Sequence, residues 1–575
     1  MTLQGLDSPA AVRALGDDEL PALCAALREE IISVCSRVGG HLGASLGAVE
    51  LIVALHRVFR SPIDRLVFDV GHQAYAHKLL TGRREQLGTL RQAGGLAPFL
   101  DPTESEHDAF GAGHSSTAIS AAVGLLEGLV VTGAPGRVVA VIGDGALTGG
   151  EAFEGLNQAA VASRPLIVVV NDNGMSISRN VGAVARLLRS DARRFFEAMG
   201  FCYVGPVDGH DVGALVAVLR QAKDCARAVV IHARTEKGRG FAPAEADGRT
   251  RGHAMGPWEL RDGKLVRARP GRATWSDAFA ALLEERLARD PSLVVVTPAM
   301  IEGSSLGGLQ ARFPARVFDV GIAEQHAVTF AAGLAKSGAR PIVCLYSTFL
   351  QRAYDQIVHD VVLPGLPVVF AVDRAGLVGA DGATHQGVFD VSLLRPLPGL
   401  SLTSPVFLDD LGTLLDAALA RRGPSAVRFP RGVVTGPRPP SIVPAPATRW
   451  LRRVEGGELT CVTSGVTGLQ ALEACEGRPW SVLDVGELCE LDEGPLREAA
   501  RGRLLVIEEV MPRGGLFDAV LEGLARVGCA PLVAQVALPA HRIVRHGEAN
   551  AQRRELGLSS DGIERAAREL LERRP

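Results

Sequence analysis

The sequence predicts an α/β protein of three α/β domains with mostly parallel sheets, and three observations carry that prediction. Short runs of β-branched and other apolar residues recur without polar alternation, as strands covered on both faces require. Each run ends in a turn rich in Gly, Asp or Asn, and an Ala/Leu-rich helical pattern follows it. Two polar, Pro-containing stretches, Asp262 to Arg272 and Gly436 to Thr448, then cut the 575 residues into domains at 1–265, 266–436 and 437–575.

The expected strands run Arg137 to Ile142, Leu166 to Val170 and Ala228 to Ile231 in the first domain. Pro367 to Val372 belongs to the second domain and Arg503 to Ile507 to the third. Composition narrows the function classes. With 61 basic and 64 acidic residues and a net charge of -3, there is no electrostatic case for nucleic acid or an acidic membrane surface. The nine cysteines are scattered, with no CxxC pair, and read as buried apolar residues of a reducing compartment. No long apolar run and no signal-like start is seen, so a cytoplasmic protein is expected. Five of the 61 basic residues are lysines, leaving 56 arginines. Codon bias accounts for that ratio, yet Lys78 and Lys237 fall in motif-like segments.

The most informative pair of turns is Gly143-Asp144-Gly145-Ala146 and, 29 positions after Asp144, Asn171-Asp172-Asn173-Gly174-Met175. Each lies just past an apolar run, and the residues between them read as a crossover helix. One strand–helix–strand unit of about 30 residues brings two such turns to the same sheet edge. Asp and Asn oxygens suit Mg²⁺, which keeps positions open for phosphate oxygens. Glycines beside the Asp let backbone N–H groups approach those phosphates. Either turn alone would be an ordinary turn; together, at this spacing, they point to a metal and diphosphate site.

This pairing is similar to the thiamine diphosphate signature, and the motifs around it closely resemble the 1-deoxy-D-xylulose-5-phosphate synthase family. They are Gly39-Gly-His41-Leu-Gly, Phe68-Asp-Val-Gly-His72-Gln-Ala-Tyr-Ala-His77-Lys78, Gly111-Ala-Gly113-His114-Ser115-Ser-Thr and Lys237-Gly-Arg-Gly-Phe241. In the second domain the resemblance continues through Val320-Gly-Ile-Ala-Glu324-Gln-His, Tyr346-Ser-Thr-Phe349-Leu-Gln-Arg352, Asp373-Arg374-Ala-Gly376, Ala380-Asp381-Gly-Ala-Thr-His385 and Arg428-Phe-Pro-Arg431-Gly. It implies a transketolase-like thiamine diphosphate-binding fold and a homodimer. It also implies an enzyme that decarboxylates pyruvate and condenses the two-carbon unit with D-glyceraldehyde 3-phosphate, feeding isoprenoid, thiamine and pyridoxal synthesis.

Residue roles come from the same resemblance. Asp144, Asn173 and the Met175 carbonyl would hold Mg²⁺. His72, Gly113, His114, Ser115, Gly145, Ala146, Asn173, Lys237 and Phe241 would contact the cofactor, with Glu324 on its aminopyrimidine ring and Phe349 stacked against it. Arg374 and Arg431 would clamp the sugar phosphate, as guanidinium forks suit phosphate oxygens. His41, His253, Tyr346, Arg352, Asp381 and His385 would surround the substrate with Glu324 and move protons. Any one of these has a plainer alternative: Glu324 as a helix-start residue, Phe349 as a core aromatic, a single Arg as a surface charge. Competing readings are another thiamine diphosphate enzyme of the transketolase type, a specialised paralogue with an altered acceptor, and a non-catalytic scaffold.

Three departures from the family pattern stand out. Gly174 replaces the usual Glu. Gly486 to Asp492 differs from the usual turn of the third domain, which is read as a dimerisation and packing module. Only Ala183 to Gly200, read as one Arg-rich helix, connects segments that the family separates by a long insertion. Natural divergence and an engineered deletion both fit that shortness.

Overall fold

The structure, a computed structural model, describes residues 2–162, 164–267, 273–434, 438–442 and 448–574. Of the two expected linkers, residues 268–272, 436–437 and 443–447 lie outside the described residues, and 264–267 form a strand instead of a spacer. The chain forms two compact units, Met1–Pro270 with Gly321–Ala323, and Gly271–Val320 with Glu324–Pro575.

The first unit is built on five strands: β1 (Arg65–Phe68), β2 (Val138–Gly143), β3 (Ile167–Asp172), β4 (Cys202–Asp208) and β5 (Val229–Arg234). All are parallel, in the order β1-β2-β3-β5-β4. The unbroken apolar runs follow from helices on both faces. Val139, Val141, Ile167, Val169 and Ile231 join one core with Leu51, Leu55 and Leu215. Their strand neighbours Val138, Ala140, Ile142, Val168 and Val230 join another with Leu126, Leu156 and Phe196. Side chains alternate between sheet faces, so both faces must be apolar. The crossover helix Gly150–Ala159 links β2 to β3, as the spacing predicts. A small hairpin, β6 (Trp258–Arg261) and β7 (Lys264–Arg267), follows.

The connection around Ala183 to Gly200 is not one helix. It is two, Gly182–Ser190 and Ala192–Ala198, separated by Asp191 at φ -146 and ψ 44. Leu188, Ala192 and Phe196 all reach one apolar core while the arginines stay exposed. Residues four apart share a face of an unbroken helix as well, so both sides of the break keep the stripe that a single helix would show.

In the second unit, β8 (Leu293–Thr297), β9 (Val317–Asp319), β10 (Arg340–Tyr346), β11 (Val369–Ala375), β12 (Ser401–Thr403) and β13 (Ser425–Pro430) form a parallel sheet ordered β12-β13-β11-β10-β8-β9. A third sheet holds β14 (Arg449–Arg452), β15 (Leu459–Thr463), β16 (Trp480–Asp484), β17 (Arg503–Ile507) and β18 (Val533–Val536), with only the edge strand β14 antiparallel. One apolar core takes in Val343, Leu345 and Phe370 of the former sheet and Leu483, Leu504 and Val506 of the latter. That shared core is why the two sheets make a single compact unit.

Candidate active site

In the first unit, β1, β2 and β3 lie side by side, and their carboxyl ends deliver three loops to one edge, the place where parallel sheets bind ligands. Asp144 follows β2 and Asn173 follows β3. The Asp144 carboxylate is buried and accepts hydrogen bonds from the Gly174 N–H at 2.9 Å and the Asn180 amide at 2.7 Å. Burial first, then the adjacent Asp172 carboxylate, pushes the Asp144 carboxyl well above its usual range. A buried acid in that state is relieved by a cation. Asp144, Asn173 and the Met175 carbonyl form an all-oxygen set with one carboxylate, so the residues fit Mg²⁺. Asp172 is itself held by His232 at 2.8 Å, whose other ring nitrogen pairs with the Tyr203 hydroxyl at 2.8 Å. A methyl on Gly145 would come within 2.9 Å of Ser176 and Asn180, so only glycine lets these loops close together.

Three expected histidines converge in the same unit. His41, His72 and His253 have ring centroids 5.8, 5.7 and 5.3 Å apart. Burial drives the His72 imidazole down to about 3, with the Lys237 ammonium adding to the shift. Its Nδ1 has no hydrogen-bond partner among the described residues. Lys237 donates to the Ser176 carbonyl at 2.6 Å and to His253 Nδ1 at 2.9 Å, and its burial lowers the ammonium to about 7. Gly113, at φ 144, is buried, and His114 and Ser115 after it are half-buried. Phe241 packs on Trp258 with centroids 5.3 Å apart and belongs to the core. Lys78 has a different setting. Its buried ammonium meets Glu104 at 2.6 Å, beside the Arg83–Asp108 pair at 2.7 Å, so its charge is matched within the fold.

The second unit gathers the remaining candidates at the carboxyl ends of its parallel strands. Glu324 opens the helix Glu324–Lys336. Its side chain is buried and Oε2 has no hydrogen-bond partner among the described residues. Arg352 lies 4.0 Å away, and burial nevertheless raises the carboxyl. Such a group is set up to hydrogen-bond a ring nitrogen. Tyr346, at the end of β10, makes two ring contacts: Phe349 stacks with it, centroids 5.8 Å apart, and the Arg374 guanidinium sits 3.8 Å from the ring centroid. Burial raises the Tyr346 hydroxyl to about 12. Arg374 is held at φ 61, in the left-handed region that non-glycine residues seldom occupy. Arg431 pairs with Asp381 at 2.8 Å and donates to the Val378 carbonyl at 3.0 Å. His385 packs edge-on to Phe349 at 5.6 Å. Residues after β17 brace this loop: Glu509 accepts the Leu377 N–H at 2.7 Å and is forked by Arg553 at 2.6 and 2.9 Å.

The structure adds side chains that motif reading passed over. Asp69 and Ser116 lie inside quoted motifs, but nothing in the sequence shows that they meet. Tyr203 and His232 carry no local signal at all. Gly303 does so only through Tyr346, since a methyl there would overlap the tyrosine hydroxyl.

Residues 272–436 match the transketolase pyrimidine-binding domain, and with the parallel sheets this makes the protein a transketolase-type, thiamine diphosphate-dependent transferase. Residues 3–194 and 190–235 match the family described as 1-deoxy-D-xylulose-5-phosphate synthase. A 1-deoxy-D-xylulose-5-phosphate synthase of Myxococcus xanthus is 62% identical, covering 99% of this chain and 98% of that one. Another, of an Anaeromyxobacter species, is 49% identical with the same coverage. The chain belongs to the 1-deoxy-D-xylulose-5-phosphate synthase family. A solved transketolase of Leishmania mexicana, 18% identical with 98% of each chain covered, overlaps at a TM-score of 0.46, too loosely to add to this.

The matches bear on the short connection. The family match breaks in two at 190–194, inside it. The Anaeromyxobacter match spans 624 positions, 49 more than this chain's 575 residues, whereas the Myxococcus match spans 576. A natural relative thus shares the compact length, and an engineered deletion is not needed to explain it.

Proposed function

We propose that the protein joins pyruvate and D-glyceraldehyde 3-phosphate to give 1-deoxy-D-xylulose 5-phosphate and CO₂, using thiamine diphosphate and Mg²⁺. The observation that carries this reading is Glu324, a buried carboxyl with an unpartnered oxygen at the start of its helix. When bound, thiamine diphosphate supplies the thiazolium carbon that holds the two-carbon unit left after decarboxylation. Asp144, Asn173 and the Met175 carbonyl hold Mg²⁺. His72, Gly113, His114, Ser115, Gly145, Ala146, Lys237 and Phe241 bind the diphosphate and thiazolium end. Glu324 hydrogen-bonds the aminopyrimidine ring and keeps its amino group able to take up a proton, and Phe349 stacks on that ring. Arg374 and Arg431 hold the sugar phosphate as guanidinium cations. His41, His253, Tyr346, Arg352, Asp381 and His385 orient the substrates and move protons. The three-domain division at 265 and 436, a homodimer and a cytoplasmic location complete the proposal.

The test supplies pyruvate, D-glyceraldehyde 3-phosphate, thiamine diphosphate and Mg²⁺ and follows the carbon by NMR. Deoxyxylulose phosphate is the expected product; its absence from folded, cofactor-loaded protein refutes the reading. Glu324→Gln is expected to lower kcat by at least about 100-fold, on the scale of acid–base assistance, with cofactor still bound. Full activity in that variant would remove the role given to Glu324.

A further inference from the structure

Asp69 is the residue after β1, and it does more than end a strand. Its N–H still bonds to the Val141 carbonyl at 2.8 Å, which anchors it to β2. Its carboxylate is only 1% exposed and accepts the Ser116 N–H at 2.8 Å on one oxygen and the Ala118 N–H at 3.0 Å on the other. Ser116 in turn donates its hydroxyl to the Ala146 carbonyl at 2.7 Å. One carboxylate and one hydroxyl therefore tie together the His72 turn, the Gly113–Ser115 loop and the Gly145–Ala146 turn. The fit is close, since a methyl on Gly149 would overlap the Ser116 hydroxyl.

The backbone around this joint is strained. Ser116 is held at φ 73 and Val70, next to Asp69, at φ 58. A β-branched residue in the left-handed region is a genuine outlier, and such conformations persist only where their surroundings impose them. Val70 packs against one core of the sheet, but that contact needs only its side chain and does not account for Ser116. What the distortions achieve is to set three loop ends at fixed separations along one sheet edge.

Resting on the thiamine diphosphate reading above, we infer that Asp69 and Ser116 are positioning residues that hold these loops at the spacing the diphosphate group requires. Neither touches the cofactor; they act through Gly113, His114, Ser115 and Ala146. The carboxylate also satisfies two N–H groups at the start of the helix Ala118–Thr132, which would otherwise need other partners. A helix cap and nothing more would stabilise the fold without affecting cofactor affinity, and that difference makes the inference testable.

The full-length protein is compared with Asp69→Asn and Ser116→Gly. The second variant removes the hydroxymethyl side chain but leaves a backbone at home at positive φ, so it guards against a simple folding failure. Calorimetric titration with thiamine diphosphate and Mg²⁺, and separately with inorganic pyrophosphate and Mg²⁺, gives the affinities. The melting temperature without cofactor reports the fold. Both variants are expected to lose about tenfold or more in affinity for each probe, the scale seen when a supporting partner of a binding residue is removed. At saturating cofactor, kcat should stay within about threefold, because the reacting groups are untouched. Unchanged affinities in folded variants overturn the inference, as does a lowered melting temperature with affinity intact. If wild-type protein itself fails to bind thiamine diphosphate, the functional reading falls and takes this inference with it, an outcome distinct from the other two.

Discussion

Gly303→Ala puts a single methyl group against the best-ordered stack in the second unit. The added carbon would overlap the Tyr346 hydroxyl and come within 3.0 Å of the ring carbon bearing it and 3.4 Å of the Met300 sulfur. The ring has little freedom to retreat, because it is buried, Phe349 stacks with it and the Arg374 guanidinium lies 3.8 Å from its centroid. Tyr346 must therefore leave a rotamer minimum or give up part of one stack. An off-rotamer side chain costs about 0.5–1.5 kcal/mol, and a desolvated cation–π contact is worth about 2 kcal/mol. Overpacking of a filled interior spans about 1–3 kcal/mol, so a loss of about 2 kcal/mol is expected. Urea denaturation of wild type, Gly303→Ala, Tyr346→Phe and the double variant measures it. Removing the hydroxyl makes room for the methyl, so the double variant should recover about 1 kcal/mol or more beyond additivity. Additive losses, or a Gly303→Ala protein as stable as wild type, would refute the argument.

Other outcomes follow from buried charges. Asp484 is pushed to about 7 by burial, against the pull of Arg449. Its carboxyl stays protonated in the native state where the unfolded chain, at about 3.9, has already released its proton. Wild-type stability from this group therefore falls as pH rises through the window between those values, by about 1.4 kcal/mol per unit. Asp484→Asn should gain on wild type by about 2–3 kcal/mol between pH 5 and 7.5; equal differences at both pH values would contradict the shift. Lys78→Ala removes the nearer of two cations on the Glu104 carboxylate and leaves Arg83 at 3.5 Å, so a loss of about 3 kcal/mol, the low end for breaking a buried pair, is expected. Urea midpoints should show that loss while calorimetry shows thiamine diphosphate affinity unchanged. A selective loss of affinity would return Lys78 to the diphosphate pocket.

The sequence announces parallel sheets because the strand runs of β2, β3 and β11 are apolar on both faces. It points to a candidate metal site because Asp144 and Asn173 each follow a strand one crossover apart. Both are local signals at short spacing. Asp69 and Ser116 are 47 positions apart, and their meeting depends on β1 lying beside β2, which no local pattern encodes. Helix formers around Asp191 read as one helix, because Leu188, Ala192 and Phe196 recur at every fourth position and keep one apolar stripe across the break. Glu324 was legible as the start of a helix, but its unpartnered oxygen depends on what does not surround it, and that information exists only in three dimensions.

Arg374 asks two things of one residue, a cation and a left-handed backbone. The genetic alphabet offers no residue that supplies both without strain. Glycine or asparagine would relax the chain and discard the charge, while lysine would keep the charge, keep the strain and lose the flat guanidinium that lies on Tyr346. Every single substitution therefore gives up one requirement to serve another, with no gradual route to an improved version. A position of this kind is a dead end for evolutionary drift and a poor choice for library-based redesign. Acceptor preference in this protein is better explored at neighbouring positions whose backbone is relaxed.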